Sequence, residues 1–234
     1  MLRLSKLQCA NVMASNKLAY RTFVFDCDGV VLDSNRLKTE AFRTAALPYG
    51  GEAAEKLVDY HVENGGISRF VKFRYFLENL IPQGAVGPDL ESLLNGYAEA
   101  VRQGLLECDI AEGLTELRKV TGDARWLIVS GGSQAELRDV FSERGIDAWF
   151  DGGIFGSPDN KDEILSRELK SGNIALPALF IGDSIYDYRA ASTAELDFVF
   201  ATYWTEVPGW QEFVTEHHVD TISSINELVC HLVD

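Results

Sequence analysis

The stretch Thr22-Phe23-Val24-Phe25-Asp26-Cys27-Asp28-Gly29 constrains this chain more than any other. Its opening residues are apolar or β-branched without polar alternation, and a glycine closes the run. Such a pattern reads as a strand buried on both faces, the kind found in parallel sheets flanked by helices. Asp26 and Asp28 stand at its C-terminal end, two residues apart, so their side chains lean to the same side. In open α/β sheets that edge is where ligands bind. Two carboxylates crowded at the mouth of a buried strand repel each other. The repulsion is tolerable if a cation sits between them or one of them holds a proton. Taken alone, the tetrapeptide Asp26–Gly29 also suits a solvated turn.

The remainder of the chain narrows the choice. Its 234 residues, 46% of them hydrophobic, can form one large domain or a core with a smaller insert. A formal charge of -15 argues against a broad basic surface for nucleic acid or an anionic membrane. It leaves room for a small anionic substrate in a locally positive pocket. Cys9, Cys27, Cys108 and Cys230 are scattered without a CxxC spacing and read as free thiols in a reducing cytoplasm. No apolar run reaches the length of a membrane span. The first twenty residues carry Arg3, Lys6 and Lys17 without a sustained apolar region, so no secretory signal is expected. Residues 1–19 read as a leader, with Met13 an alternative start.

After Ser34 the pattern turns helical, with Leu37, Ala41, Phe42, Ala45 and Ala46 returning at three- and four-residue steps. Helical patterns continue over Ala53–Glu63, Ser68–Leu80 and Pro88–Leu106 with no convincing strand among them. Residues 36–106 therefore read as a helical insertion, and residues 20–35 and 107–234 as the α/β core. From Ile110 strands and helices alternate. Trp126–Val129, Trp149-Phe150, Ala178–Ile181, Asp197–Ala201 and a short Val219–Ile222 are the expected strands. Gly113–Val120, Ala135–Glu143, Asp162–Leu169, Asp187–Ala194, Gln211–Glu216 and Ile225–Leu232 are the expected helices. The fold class is a Rossmann-like parallel sheet with an inserted small helical domain.

Three later strand ends carry polar groups on the edge that holds Asp26 and Asp28. Ser130 is followed by Gly131 and Gly132, a hydroxyl and backbone N–H groups suited to an anion. Lys161 begins a helix after the next strand. Asp183 follows another strand, with Asp187 four residues on and on the same side of the new helix. Singly, these are a loop, a surface lysine and a common helix start. Their joint order at successive strand ends is the informative observation.

That order resembles the haloacid dehalogenase superfamily over roughly residues 20–201. The matching motifs are Asp26-Cys27-Asp28-Gly29-Val30, then Ser130 in Val129-Ser130-Gly131-Gly132, then Lys161, then Gly182-Asp183-Ser184-Ile185-Tyr186-Asp187. Lys170 is the alternative to Lys161. The helical insertion sits where that family carries a C1-type cap. The resemblance implies Asp26 as a nucleophile that forms an aspartyl-phosphate, and Asp28 as general acid and then base. It implies Mg2+ held by Asp26, the backbone carbonyl of Asp28 and Asp183, a hard-oxygen set suited to that ion. Ser130, the amides at Gly131 and Lys161 would hold the phosphoryl oxygens, and Asp187 would orient a water or Lys161. Family members that release halide lack an acid two places after the nucleophile, so Asp28 favours phosphoryl transfer.

On the insertion, Gly66-Ile67-Ser68-Arg69 looks like a cap stretch of β-phosphoglucomutase-type relatives, where an arginine contacts a distal phosphate. Arg69 is therefore a substrate-binding candidate, and a sugar phosphate with a second anionic group is one substrate it would suit. The alternative makes Ser68 an N-cap, with Arg69 and Lys72 as solvated helix surface. His61, His217, His218 and His231 show no metal-ligand spacing, so no zinc site is expected. The reading is a cytoplasmic, Mg2+-dependent phosphatase of a small phosphorylated metabolite. A mutase-type phosphotransferase and a non-catalytic metabolite-binding module are its rivals.

Overall fold

A computed structural model describes residues 20–233; the expected leader, with Cys9 and Met13, lies outside the described residues. Six parallel strands form one sheet in the order β3-β2-β1-β4-β5-β6. They are β1 (Thr22–Phe25), β2 (Arg125–Ser133), β3 (Gly153–Ser157), β4 (Ala178–Gly182), β5 (Asp197–Ala201) and β6 (Asp220–Ile222). The central strand β1 pairs with β2 on one side and β4 on the other, with Phe25 opposite both Ile128 and Ile181. Side-chain alternation divides β1 between two apolar clusters. Phe23 and Phe25 join one, and Val24 joins the other with Leu127, Phe180 and Ile164.

The chain leaves β1 towards β2 and β3, then returns to build β4, β5 and β6 on the opposite side. Connections diverge above β1 and β4, and a crevice forms at that switch point. Asp26 continues β1 there, its amide donating to the Ile181 carbonyl at 2.9 Å. Asp183 follows β4.

Between β1 and β2 lie α1 (Asn35–Ala46), α2 (Gly51–Glu63), α3 (Arg69–Tyr75), a π-helical turn at Phe76–Leu80, and α4 (Leu90–Glu107). They pack through aromatic residues: the Phe42 ring lies 4.5 Å from that of Tyr97 and 4.9 Å from that of Phe73, centroid to centroid. Ser68 caps α3, accepting from the Phe70 amide at 3.3 Å. The core helices are α5 (Leu114–Thr121), α6 (Gln134–Glu143), α7 (Lys161–Lys170), α8 (Ile185–Thr193), α9 (Trp210–Glu216) and α10 (Ile225–Val233). Asn160 with Glu163, and Ser184 with Asp187, form reciprocal capping boxes that fix where α7 and α8 begin.

One strand differs from expectation. Asp147–Trp149 is a single 3-10 turn, and the strand is the glycine-bearing Gly153–Ser157 beyond it. Phe150 is an anchor, packed on the rings of Phe25, Trp126 and Phe141. Pairing of Gly153–Phe155 with Leu127–Val129 outweighs the weak local strand preference of glycine.

Candidate active site

The crevice gathers most of the expected residues around one buried lysine. Lys161, the first residue of α7, reaches under the sheet edge with its side chain fully buried. Its ammonium lies 2.8 Å from Asp26 Oδ2 and also donates to Asp187 Oδ1. Burial opposes its charge, but Asp187 and Asp26 outweigh burial and hold its pKa above the ordinary lysine value. Lys170 stands exposed at the other end of α7, about 13 Å away by helix rise.

Asp26 is buried, and its Oδ1 accepts from the Cys27 amide at 2.7 Å. Burial is the larger influence on it, and despite Lys161 its pKa is pushed up to about 7. Asp183 is pushed well above the carboxylate range, first by burial and then by Asp26 and Asp187. Its Oδ2 accepts from Asn35 Nδ2 at 2.7 Å. Oxygens of Asp26, Asp183 and Asp187 all lie within 4.8 Å of one another. Both oxygens of Asp187 are engaged, by Lys161 and by the Ser184 hydroxyl at 2.6 Å. Asp26 and Asp183 are therefore two hard-oxygen donors whose shared charge the protein leaves under-compensated, a set that fits a divalent cation.

Asp28 faces the crevice between two donors, Lys38 Nζ at 2.6 Å and Ser34 Oγ at 2.5 Å. Burial pushes its pKa up, but Lys38 and Ser34 win and hold it below the ordinary value. Gly29 turns the chain behind the dyad at φ +73°, and a Cβ there would strike the Asp183 carboxylate and the Asn35 amide. Ser130 is buried, its hydroxyl accepting from the Gly132 amide at 3.1 Å. Strand β2 runs on through these residues to Ser133, with a register shift against β3 between Val129 and Ser133. Gly131 meets the insertion directly, since a Cβ on it would collide with the Gly66 carbonyl.

Asp26, Asp28, Gly131, Asp183 and Arg69 all line one cavity, closed over by the 61–72 segment of the insertion. Its volume is about 70 Å3, room for on the order of five waters. Arg69 reaches it, but its Nη1 donates to both oxygens of Glu136 on α6, at 2.9 and 3.2 Å. Arg74 is exposed.

Sequence reasoning passed over Asn35, Lys38, His61 and Tyr97, which line the same cavity, and left Lys72 as helix surface in one of its two readings. Lys72 is in fact buried, with Nζ 2.6 Å from His61 Nδ1. The signal was periodicity. Lys38 shares its buried stripe with Ala41 and Phe42, and Lys72 shares one with Phe73 and Phe76. A lysine on an apolar stripe points inward. Cys27 is buried, and burial pushes its thiol up, followed by the nearby Asp28 charge. Among the described residues, no histidine joins a group able to hold a metal.

A parallel sheet with a carboxylate-centred crevice at its switch point, roofed by helices inserted after β1, places the chain among α/β proteins that build a ligand site at the carboxyl edge of the sheet. The chain belongs to the haloacid dehalogenase-like hydrolases, whose family model matches residues 20–195. Solved structures share the fold at low identity. A candidate phosphoglycolate phosphatase from Lactobacillus plantarum is 18% identical with a TM-score of 0.67, the match covering 91% of this chain and 99% of that one. A haloacid dehalogenase-family hydrolase (family IA, variant 3) from Entamoeba histolytica is 14% identical with a TM-score of 0.68, covering 92% and 100%. A haloacid dehalogenase-like family hydrolase from Streptococcus pneumoniae is 18% identical with a TM-score of 0.65, covering 91% and 98%. No curated protein matches the sequence. Among the described residues, no helix is long and apolar enough to cross a membrane.

Proposed function

We propose that the chain is a Mg2+-dependent phosphatase of a small phosphorylated metabolite, with the inserted helices acting as a cap. The observation that carries this reading is the convergence of Asp26, Asp28 and Asp183 on one cavity, with the buried Lys161 ammonium held against Asp26 and Asp187 behind it. The family membership and a neighbour that is a candidate phosphoglycolate phosphatase support the same chemistry.

Asp26 attacks phosphorus, forming the aspartyl-phosphate as the ester P–O bond breaks. Asp28 gives its proton to the departing alkoxide, and afterwards takes one from the water that cleaves the aspartyl-phosphate. Lys38 holds Asp28 ionised in the free protein, the form needed for the second step. A dianionic phosphoryl group arriving beside it raises its proton affinity for the first. Lys161 meets the phosphoryl oxygens and keeps Asp26 aligned, while Asp187 fixes Lys161. Ser130 and the Gly131 amide supply neutral donors. Asp26, the Asp28 carbonyl and Asp183 would hold Mg2+, which offsets the charge shared by the carboxylates and the phosphoryl group.

The test is phosphate release across a panel of small monoesters, with Mg2+ or with a chelator, for the wild type and Asp26→Asn. The expected result is metal-dependent release that falls at least ~10³-fold in the variant, as for loss of a nucleophile. Undiminished release in Asp26→Asn would refute the assignment.

A further inference from the structure

Four cations border the cavity or its floor, and three are matched by carboxylates. Lys161 faces Asp26 and Asp187, Lys38 faces Asp28, and Arg69 faces Glu136. Lys72 is the exception. It is 1% exposed, and among the described residues it makes no ion pair. Its Nζ is held by His61, at 2.6 Å from Nδ1 and 3.2 Å from the carbonyl oxygen, and stands 5.6 Å from the Phe42 ring centroid. Burial, then repulsion from Lys38, brings its pKa down to about 7. The same burial, then Lys72, holds His61 well below the ordinary histidine value. The remaining acid on the lining, Glu206, accepts from the Thr39 hydroxyl at 2.7 Å.

Burying an ammonium without a carboxylate is unfavourable, and an apolar side chain of equal size would serve the fold better. A cavity that keeps such a group next to a phosphoryl-transfer centre is built for a ligand that brings the missing charge. Arg69 does not provide this, because Glu136 already neutralises it. Resting on the phosphatase reading, we propose that Lys72 and His61 form a second anion subsite. The substrate it assigns is a compact phosphate monoester bearing a carboxylate, phosphoryl group at Asp26 and carboxylate on Lys72. Charge selects the carboxylate. Among the described residues Lys72 is the one lining cation without a carboxylate partner, so it matches a single negative charge. A second phosphate dianion would call for another free cation, and Lys38 and Arg69 are already engaged. His61 Nδ1 accepts from the Lys72 ammonium, turning another Lys72 N–H towards the ligand.

The experiment compares matched monoesters that differ only in a group two or three bonds from the ester oxygen: carboxylate, primary amide or second phosphate. For the wild type, kcat/KM for the carboxylate should exceed that for the amide by about 10- to 100-fold, the range of a hydrogen bond between charged groups. In Lys72→Met and Lys72→Gln that ratio should collapse towards one. A wild-type ratio near one, a ratio unchanged in both variants, or preference for the bisphosphate overturns the proposal.

Calorimetric binding of the same esters to Asp26→Asn separates this from the parent reading. Turnover without discrimination sinks the subsite and leaves the phosphatase standing. Discrimination in binding without any turnover by the wild type keeps the subsite and sinks the phosphatase. Binding of the carboxylate should also take up a proton near pH 7, seen as a heat that varies with the buffer's ionisation enthalpy. If the Lys72 variants fail to fold, the wild-type ratio and the Asp26→Asn binding decide.

Discussion

Arg69 of α3 and Glu136 of α6 join the inserted helices to the core through two hydrogen bonds from a single guanidinium nitrogen, with both side chains about nine-tenths buried. The Arg69 Nε beside them has no partner among the described residues, and the guanidinium lies 5.1 Å from the Tyr97 ring centroid. The pair ties the cavity-lining Arg69 to the core helix α6.

Glu136→Ala therefore leaves a mostly buried guanidinium without its counter-charge. Breaking such a pair from one side should destabilise the protein by about 2 kcal/mol, allowing for its residual exposure. The melting temperature should fall by about 5 °C for a chain of this size. Arg69→Met with Glu136→Met removes both charges and should recover most of that loss. Differential scanning calorimetry on Arg69→Met, Glu136→Met and the double gives the coupling, and strictly additive losses would show that the two side chains do not interact.

Lys38 is the next element to test, because it controls the proton inventory of Asp28. With Nζ at 2.6 Å from Asp28 Oδ2, its removal frees the carboxylate to swing and to titrate nearer its ordinary value. Leaving groups that need a proton should suffer most. Lys38→Met is expected to lower kcat by ~10²-fold for alkyl phosphates and by much less for p-nitrophenyl phosphate, in line with general-acid contributions. Equal losses on both esters would mean that Lys38 acts on binding or folding instead.

Most of this architecture was legible because it rests on local patterns. The unbroken apolar β1, the glycine turns and the acid-bearing strand ends each follow from a short stretch of sequence. They put Asp26, Asp28, Ser130, Lys161 and Asp183 at one sheet edge. What could not be read was decided by packing between distant segments. Strand β3 depends on pairing with β2, which no local preference reveals. The apolar stripes that carry Lys38 and Lys72 are visible as helical spacing, but only packing shows that they close over the crevice. Arg69 stood out as a cation near a loop, but only the folded chain shows that Glu136, sixty-seven residues away, already engages it.

Magnesium should stabilise the protein in a pH-dependent way. The Asp26 pKa is near 7 when folded and 3.8 in an unperturbed chain, chiefly through burial. Between about pH 4 and 7 the folded state therefore holds a proton that the unfolded state has lost. Stability from this group is full below that window and declines as pH rises through it. Mg2+ takes the place of the proton, so its effect should grow as the proton leaves. At 100-fold excess over its dissociation constant it should add about 2.7 kcal/mol at pH 8. The gain should be far smaller at pH 5, with chelated protein as the reference. An equal shift in melting temperature at both values would show that the ion does not replace that proton.

Lys72 gives the clearest opposition between stability and function. Its pKa is near 7 in the fold against 10.5 in an unperturbed chain, first because of burial and then because of Lys38. Between those values the unfolded chain holds a proton that the folded one lacks. The penalty for charging Lys72 is thus fully present below pH 7 and vanishes as pH rises towards 10.5. Lys72→Met fills the same space without that penalty. It should raise stability by a few kcal/mol at pH 6.5, of the order that the shift implies, and the advantage should shrink steadily towards pH 10. Urea unfolding of wild type and variant at four or five pH values measures the gap directly. A gap constant with pH would mean that Lys72 is as readily charged in the fold as in water, and that the cavity offers an arriving anion no unsatisfied ammonium.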